Sequence, residues 1–172
     1  EQYKYTINFF FFLLCEPQFA EKIIAIAQKY DLNFSCLAVE ILEDKNITFD
    51  ARKQMIDNLS ALKEKGISIL LDDFGSGYTT FGDLQNLDIS VVKIDKTITQ
   101  NSVTDTGFII LKNIIRTAGD IGFKTLCEGI ETKEQEEAVI KAGCDFLQGF
   151  YYYRPMPVAQ LEKVFNENSG GV

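Results

Sequence analysis

The stretch SILLDDFGSGYTTF, residues 68 to 81, decides the fold of this chain. Ser68 to Leu71 is a short apolar run typical of a buried strand, and Asp72 and Asp73 follow it at once, ahead of a glycine-containing turn. Because an uncompensated buried charge is costly, two adjacent carboxylates at the end of a buried strand need a partner. The stretch therefore predicts a strand that ends at a functional site.

Strand-like and helix-like segments alternate along the rest of the chain. Apolar residues recur at helical spacing between the strand-like segments, and the helix-end signals are Asp50, Gly66, Gly122 and a capping box formed by Thr132 and Gln135. Short connections between repeated strand and helix units indicate a parallel sheet covered by helices, either open or part of a closed (β/α)₈ barrel. The six predicted strands lie at residues 5–14, 36–42, 67–73, 90–95, 124–130 and 145–153.

The composition limits the chemistry open to the chain. It contains no histidine, which excludes Ser-His-Asp and Cys-His nucleophiles and imidazole bases. A net charge of -8 argues against a nucleic acid polymer as partner, because that binding depends on Lys and Arg at the phosphates. Catalysis would use carboxylates, lysine, tyrosine or amides, and a small anionic ligand could be held through metal cations.

Length and hydropathy predict a single globular domain over residues 1–172, with 46% hydrophobic residues. The apolar run from Ile7 to Cys15 is shorter than the ~20 residues that span a bilayer, and no basic segment precedes it. We therefore expect no membrane span and a cytoplasmic protein. The four cysteines are widely spaced without a CxxC pair, so we expect buried thiols rather than a disulfide framework or a zinc site.

Each predicted strand carries a polar residue, in most cases near its carboxyl end. In parallel βα architectures these ends form one rim, where active sites lie. Carboxylates that converge there would repel one another unless cations lay between them, and hard oxygen ligands select Mg²⁺, Mn²⁺ or Ca²⁺. Each residue alone could be a helix cap, a satisfied amide or a lysine reaching water, but their joint occurrence predicts a metal site. The residues are Asn8, Glu40, Asp72, Asp73, Lys93, Asp95, Glu128 and Gln148.

Four segments in this order resemble the signature motifs of the EAL-domain family, bacterial phosphodiesterases that open cyclic di-GMP: DDFGSGYTTF, VVKID, CEGIET and FLQGFYYYRP. LAVEILED and TIN resemble two further motifs of that family, and the resemblance covers almost the whole chain. It implies an α/β fold, a TIM-type (β/α) barrel with one antiparallel strand, of which this chain holds six strands. It also implies metal-dependent hydrolysis of cyclic di-GMP to linear pGpG, and a homodimer.

The resemblance implies a ligand set for one or two ions of Mg²⁺ or Mn²⁺. Asn8, Glu40 and Asp72 would hold the first ion. Asp72 would bridge to a second ion that Asp73 and Glu128 also bind.

The resemblance also implies catalytic and substrate-binding roles. Lys93 would position the attacking water, with Glu128 as candidate base and Gln148 as a residue that orients water or metal. Asp95 and Arg154 would contact the substrate.

Some features depart from the family pattern. The E-x-L motif of the family lies upstream of the Asn8 strand and is not in this sequence, so we expect an N-terminally incomplete domain with exposed strand edges that dimerises, swaps or is poorly stable. Phe9 and Phe10 stand where the family has a small polar residue, and Leu42 stands where it has Thr. Glu43 matches the residue that anchors the loop 74–80, which couples metal binding to dimer contacts in the family.

Three interpretations therefore stay open. The first is a metal-dependent cyclic di-GMP phosphodiesterase, which the retained downstream ligands favour. The second is a non-catalytic receptor for cyclic di-GMP or a protein-interaction module, which the absent motif favours. The third is another metal-dependent barrel that uses Lys93 as a proton-abstracting base, against which the ordered motifs argue.

Overall fold

The computed structural model describes residues 3–42, 48–76 and 87–169. Within them, six strands form one sheet in which each strand lies beside the next along the chain and every pair is parallel. The strands are β1 (Tyr5–Phe9), β2 (Leu37–Ile41), β3 (Ser68–Phe74), β4 (Val91–Ile94), β5 (Lys124–Cys127) and β6 (Phe146–Leu147).

Helices connect the strands and cover the sheet. In the described ranges they are α1 (Phe11–Leu14), α2 (Phe19–Lys29), α3 (Phe49–Glu64), α4 (Lys96–Asn101), α5 (Asp105–Ile121), α6 (Lys133–Ala142) and α7 (Val158–Ser169). The predicted parallel α/β fold is confirmed, and the antiparallel strand that the resemblance implies is not among the described strands. No helix in the described ranges has both the length and the apolar character that crossing a membrane requires.

The sheet is most buried at its second and fourth strands. Every residue of β2 and β4 is buried, whereas β1, at the edge of the sheet, is mostly exposed. Tyr5 and Ile7 on β1 are 52% and 44% exposed. The predicted exposed strand edge is thus present at β1, where apolar side chains meet water.

The predicted strand over residues 5–14 is wrong in its second half. The strand ends at Phe9, and the short helix α1 begins at Phe11 and buries Leu14 completely. Because the segment is apolar throughout, its hydrophobic pattern does not show where the strand ends and the helix begins.

The predicted strand over residues 145–153 is also mostly wrong, since β6 contains only Phe146 and Leu147. Gly149 packs so close to Ile130 that a Cβ at this position would lie 2.0 Å from the Ile130 carbonyl oxygen. The chain then turns, with Tyr152 N donating to Gly149 O at 3.1 Å. The aromatic run has high β propensity, but this close contact takes it out of the sheet.

The signals for helix ends were mostly correct. Gly122 has φ +98° at the end of α5, and Thr132 and Gln135 form the predicted capping box of α6. The start of α3 differs from the prediction, because the cap is Thr48, whose Oγ1 accepts a hydrogen bond from Ala51 N, and not Asp50.

A buried asparagine joins the first two helices to α3. Asn58 is 5% exposed, and its Nδ2 donates to Leu14 O at 2.8 Å and to Glu16 O at 3.0 Å, while Oδ1 accepts from Ala20 N at 3.4 Å. These bonds satisfy backbone groups where α1 ends and α2 begins. Both helices contribute to the largest hydrophobic cluster of the described residues.

We expect Asn58→Leu to lower the free energy of unfolding by about 2–4 kcal/mol, because the leucine leaves buried backbone groups without partners. Urea denaturation followed by circular dichroism measures the loss. Asn113→Leu is the matched control, since Asn113 is exposed on α5 and bonds only within its own helix in the described structure. An equal loss in both variants would contradict this role of Asn58.

Candidate active site

A buried lysine lies at the centre of a cluster of carboxylates. Lys93 on β4 is 4% exposed. Its Nζ lies 2.7 Å from Glu40 Oε2, 2.8 Å from Asp72 Oδ1 and 2.8 Å from Glu128 Oε1. Side chains from three other strand ends therefore converge on the ammonium group.

The strand alternation explains why these four side chains meet. Side chains two residues apart on a strand point to the same face of the sheet. Two positions before each of the four polar residues, the chain carries an apolar residue. These four apolar residues form a small cluster on one face of the sheet. That cluster contains Ala38, Leu70, Val91 and Leu126. The polar group forms the next layer toward the carboxyl ends of the strands.

A β-bulge brings a fourth carboxylate, that of Asp73, to the same place. The pairing between β3 and β4 shifts between Leu71 and Phe74, and Asp73 has a left-handed backbone with φ +53°. In a regular strand, two consecutive side chains point to opposite faces. Here one oxygen each of Asp72, Asp73 and Glu128 lie within 4.8 Å of one another.

Burial and nearby negative charge raise the pKa of two acids in the cluster. Burial raises the pKa of Glu128, and the nearby Asp72 and Asp73 raise it further, against the opposing effect of Lys93. Burial also raises the pKa of Asp73, and the charge of Asp72 adds to that effect. Burial is the largest cause of both shifts, and the repulsion between the neighbouring carboxylates, which adds to it, is the part that a cation would relieve.

The electrostatics keep Lys93 protonated. Burial alone would lower its pKa, but hydrogen bonds to Asp72, Glu128 and Glu40 outweigh burial and raise the pKa above its ordinary value. A lysine in this state donates hydrogen bonds and does not abstract a proton. The interpretation in which Lys93 is a proton-abstracting base therefore conflicts with its surroundings.

A cleft of about 330 Å³ opens beside the cluster. Lys96 and Phe150, which the sequence analysis did not single out, line it together with Asp73, Glu128 and Gln148. Gly129 makes room for Lys96, because a Cβ on Gly129 would lie 2.5 Å from Lys96 Cβ. No local pattern in the sequence indicates this contact, because Lys96 and Gly129 are far apart along the chain.

Comparison with known proteins shows the family of this chain. The sequence profile described as the EAL domain matches residues 1–155. The chain belongs to the EAL-domain family.

Named relatives and solved structures are similar to this EAL domain over most of its length. The cyclic di-GMP phosphodiesterase RocR of Pseudomonas aeruginosa is 32% identical over 139 residues, which cover 80% of this chain and 35% of RocR. The solved structure of the PaMucR phosphodiesterase in complex with c-di-GMP is 28% identical with a TM-score of 0.80, covering 92% of this chain and 64% of that chain.

A further solved structure contains a metal. The calcium and cyclic di-GMP complex of Klebsiella pneumoniae BlrP1 at pH 8.0 is 25% identical with a TM-score of 0.79, covering 90% of this chain and 39% of that chain. This EAL domain thus spans about two fifths of BlrP1 and about a third of RocR.

The other predicted site residues of the EAL domain lie around the cluster. Asn8 is exposed and pairs in register with Glu40 on the neighbouring strand. Gln148 is exposed and lines the cleft. Arg154 is exposed, and its guanidinium lies 4.6 Å from the ring centroid of Phe150, which lines the same cleft.

Asp95 has a structural contact in addition to its place in the cleft. It is 8% exposed, and its Oδ1 caps α4 by accepting hydrogen bonds from Thr97 N at 2.8 Å and from the Thr97 hydroxyl. Glu43 and residues 77–80 of its loop lie outside the described residues.

The donors of this EAL domain fit hard divalent cations. Asp72, Asp73 and Glu128 supply carboxylate oxygens only, at mutual distances that one or two ions can bridge. Next to burial, the charges of neighbouring carboxylates raise the pKa of Asp73 and of Glu128, and a cation between the carboxylates would offset this repulsion. The structure therefore contains a candidate acidic metal-binding group at the end of β3 and β5.

Proposed function

We propose that this EAL domain hydrolyses cyclic di-GMP to linear pGpG with Mg²⁺ or Mn²⁺. The observation that carries the proposal is the carboxylate group of Asp72, Asp73 and Glu128 beside the buried Lys93. The names of RocR and PaMucR, which are a cyclic di-GMP phosphodiesterase and a phosphodiesterase bound to c-di-GMP, support the choice of substrate.

The positions of the carboxylate oxygens suggest which residues would bind each metal ion. Asp72, Asp73 and Glu128 would hold one ion, and Glu40 with the neighbouring Asn8 would complete a second site that shares Asp72. Bound cations supply a water molecule of lowered pKa and neutralise the phosphodiester during in-line attack.

Lys93 and Glu128 would act on the attacking water. Three carboxylates hold Lys93 protonated and occupy its three N–H donors in this structure. A carboxylate that turned to a bound cation would free one donor for the water or for a phosphate oxygen. Glu128 has a raised pKa, which brings a carboxylate closer to the range in which it accepts a proton efficiently. Gln148, which lines the same cleft as Glu128, would orient the water.

Substrate contacts would come from the rim of the cleft. The Arg154 guanidinium lies 4.6 Å from the ring centroid of Phe150 and could contact a phosphate or a guanine edge. Asp95 would reach the ligand with the carboxylate oxygen that does not cap α4.

The direct test is to incubate the purified chain with cyclic di-GMP and Mn²⁺ and to follow pGpG by chromatography. We expect turnover that stops when EDTA removes the metal and returns when Mn²⁺ is added in excess. Binding of cyclic di-GMP without turnover would contradict the proposal and would support a receptor.

Two properties that the family resemblance implies complete the proposal. We include homodimerisation, which light scattering of the purified chain tests directly. We also include action in the cytoplasm, which fractionation of cells that produce the native protein tests.

A further inference from the structure

A groove of about 520 Å³ lies between α5 and α6. The residues that line it differ from those that line the cleft beside the carboxylate cluster. Its apolar lining includes Val103 and Ile109, which are 54% and 60% exposed. The groove therefore offers aliphatic surface that a ligand could cover.

A buried hydroxyl without a partner belongs to the lining of this groove. Ser102 is 2% exposed, and its Oγ has no hydrogen-bond partner in the part of the chain that the structure describes. Its backbone N, in contrast, donates to Thr99 O at 3.1 Å. Because buried polar side chains are normally hydrogen-bonded, the unused Ser102 hydroxyl points to a ligand in the groove.

The turn that carries Ser102 is held in one position. Thr104 donates to Asn101 O from its backbone N at 3.0 Å and from its hydroxyl at 2.9 Å. The same hydroxyl accepts a hydrogen bond from Gly107 N at 3.0 Å, and a Cβ on Gly107 would lie 1.9 Å from Asn101 O. The turn is therefore closely packed, and the Ser102 hydroxyl is positioned before any ligand binds.

The charged side chains of the lining favour a cation. Three carboxylates and one ammonium group line the groove, on Asp105, Glu134, Glu137 and Lys141. The Lys141 ammonium lies 5.1 Å from the centroid of the Phe108 ring, which it contacts as a cation over an aromatic face. Glu137 pairs with Lys133 at 3.4 Å, but both side chains are exposed, so water screens this pair and a ligand can compete with it.

The three carboxylates of the groove are not arranged to share one metal ion. Among the described residues, the acids close enough together to hold an ion jointly are Asp72, Asp73 and Glu128. A cation that suits the groove is therefore larger than a metal ion and also covers apolar surface. An alkylammonium ion has both properties, because its three N–H donors adjoin an aliphatic chain.

We propose that the groove between α5 and α6 binds an aliphatic ammonium group, either of a free amine or of a lysine side chain. The ammonium group donates hydrogen bonds to the Ser102 hydroxyl and to the carboxylates of the groove, and the alkyl chain covers Val103 and Ile109. The site is separate from the proposed hydrolysis of cyclic di-GMP and does not depend on it.

Titration of the intact, ¹⁵N-labelled chain with hexylammonium, followed by two-dimensional NMR, tests the proposal. We expect saturating shifts of the amide signals of residues 102–109 and 134–141. Hexanol and heptanoate carry the same six-carbon chain without the positive charge, so they should cause much smaller shifts. Equal shifts with hexanol, or shifts confined to Asp72, Asp73 and Glu128, would overturn the proposal.

Variants separate this site from a general attraction of cations to an acidic protein. Ser102→Ala should weaken hexylammonium binding by about fivefold or more. It should not lower the free energy of unfolding in urea, because the hydroxyl makes no internal hydrogen bond in the described structure. Glu137→Gln should also weaken binding. Asp120→Asn is the matched control, since Asp120 lies on α5 in an exposed pair with Arg116, and it should bind as the parent chain does.

The results for these variants decide the outcome. Unchanged affinity in Ser102→Ala, or an equal loss in Asp120→Asn, would overturn the site. A clear loss of stability in Ser102→Ala would show an internal partner for the hydroxyl and would overturn it as well. Titration with Nα-acetyl-lysine methylamide identifies the source of the ammonium group: tighter binding than hexylammonium indicates a lysine side chain, and weaker binding indicates a free amine.

Discussion

Replacing Asp72 with asparagine is expected to lower Mn²⁺-dependent hydrolysis of cyclic di-GMP by about a thousandfold or more while the chain stays folded. Asp72 contributes to the metal-binding group and also accepts a hydrogen bond from Lys93 at 2.8 Å. Asparagine has the same shape, so its amide oxygen can still accept from Lys93. The amide lacks the negative charge that binds a cation, so the affinity for Mn²⁺ should fall although the contact with Lys93 is kept.

Initial rates of pGpG formation and calorimetric titration with Mn²⁺ measure the two effects of Asp72→Asn separately. Asp88→Asn is the matched control, because Asp88 pairs with Lys63 on the surface and its side chain is 67% exposed. The control should keep both activity and Mn²⁺ binding. Activity of Asp72→Asn within a few-fold of the parent chain would remove Asp72 from the site.

Replacing Lys93 with methionine is expected to destabilise the metal-free chain by about 3–5 kcal/mol, because it leaves buried carboxylates without their counter-ion. The carboxylates of Glu40, Asp72 and Glu128 lie within 2.8 Å of its ammonium group. Excess Mn²⁺ should restore part of the lost stability, since it can neutralise the same oxygens. Turnover should fall far more than affinity for cyclic di-GMP.

Urea denaturation in EDTA and in Mn²⁺ measures the change in stability, and steady-state kinetics separate kcat from KM. Lys63→Met serves as the control, because Lys63 forms a surface ion pair. If Lys93→Met is no less stable than the control in EDTA, the ammonium group does not compensate the carboxylates. Equal loss of turnover and affinity would make Lys93 a binding residue.

The convergence of Glu40, Asp72, Lys93 and Glu128 could be predicted from the sequence, since it depends only on parallel strands and a two-residue alternation. Glu40, Asp72 and Lys93 lie near the carboxyl ends of β2, β3 and β4, and Glu128 directly follows β5. The capping box at Thr132 could be predicted because it is a local pattern.

The remaining features depend on contacts that no local pattern records. The cap at Asp95 starts a helix of six residues, which is too short for a hydrophobic period to show. Lys96 reaches the cleft because Gly129, far along the chain, leaves space for it. The end of β6 depends in the same way on the contact between Gly149 and Ile130.

The bulge at Asp73 also bears on how such a site could be transplanted. On a regular strand, two acids that point into one cavity must be separated by one residue, as Asp-x-Asp. Here the left-handed backbone at Asp73 allows consecutive acids to share the cavity. A designer who grafts the dipeptide onto an unbulged strand would send one acid into the opposite layer of the protein, whereas grafting the irregular backbone would carry both acids.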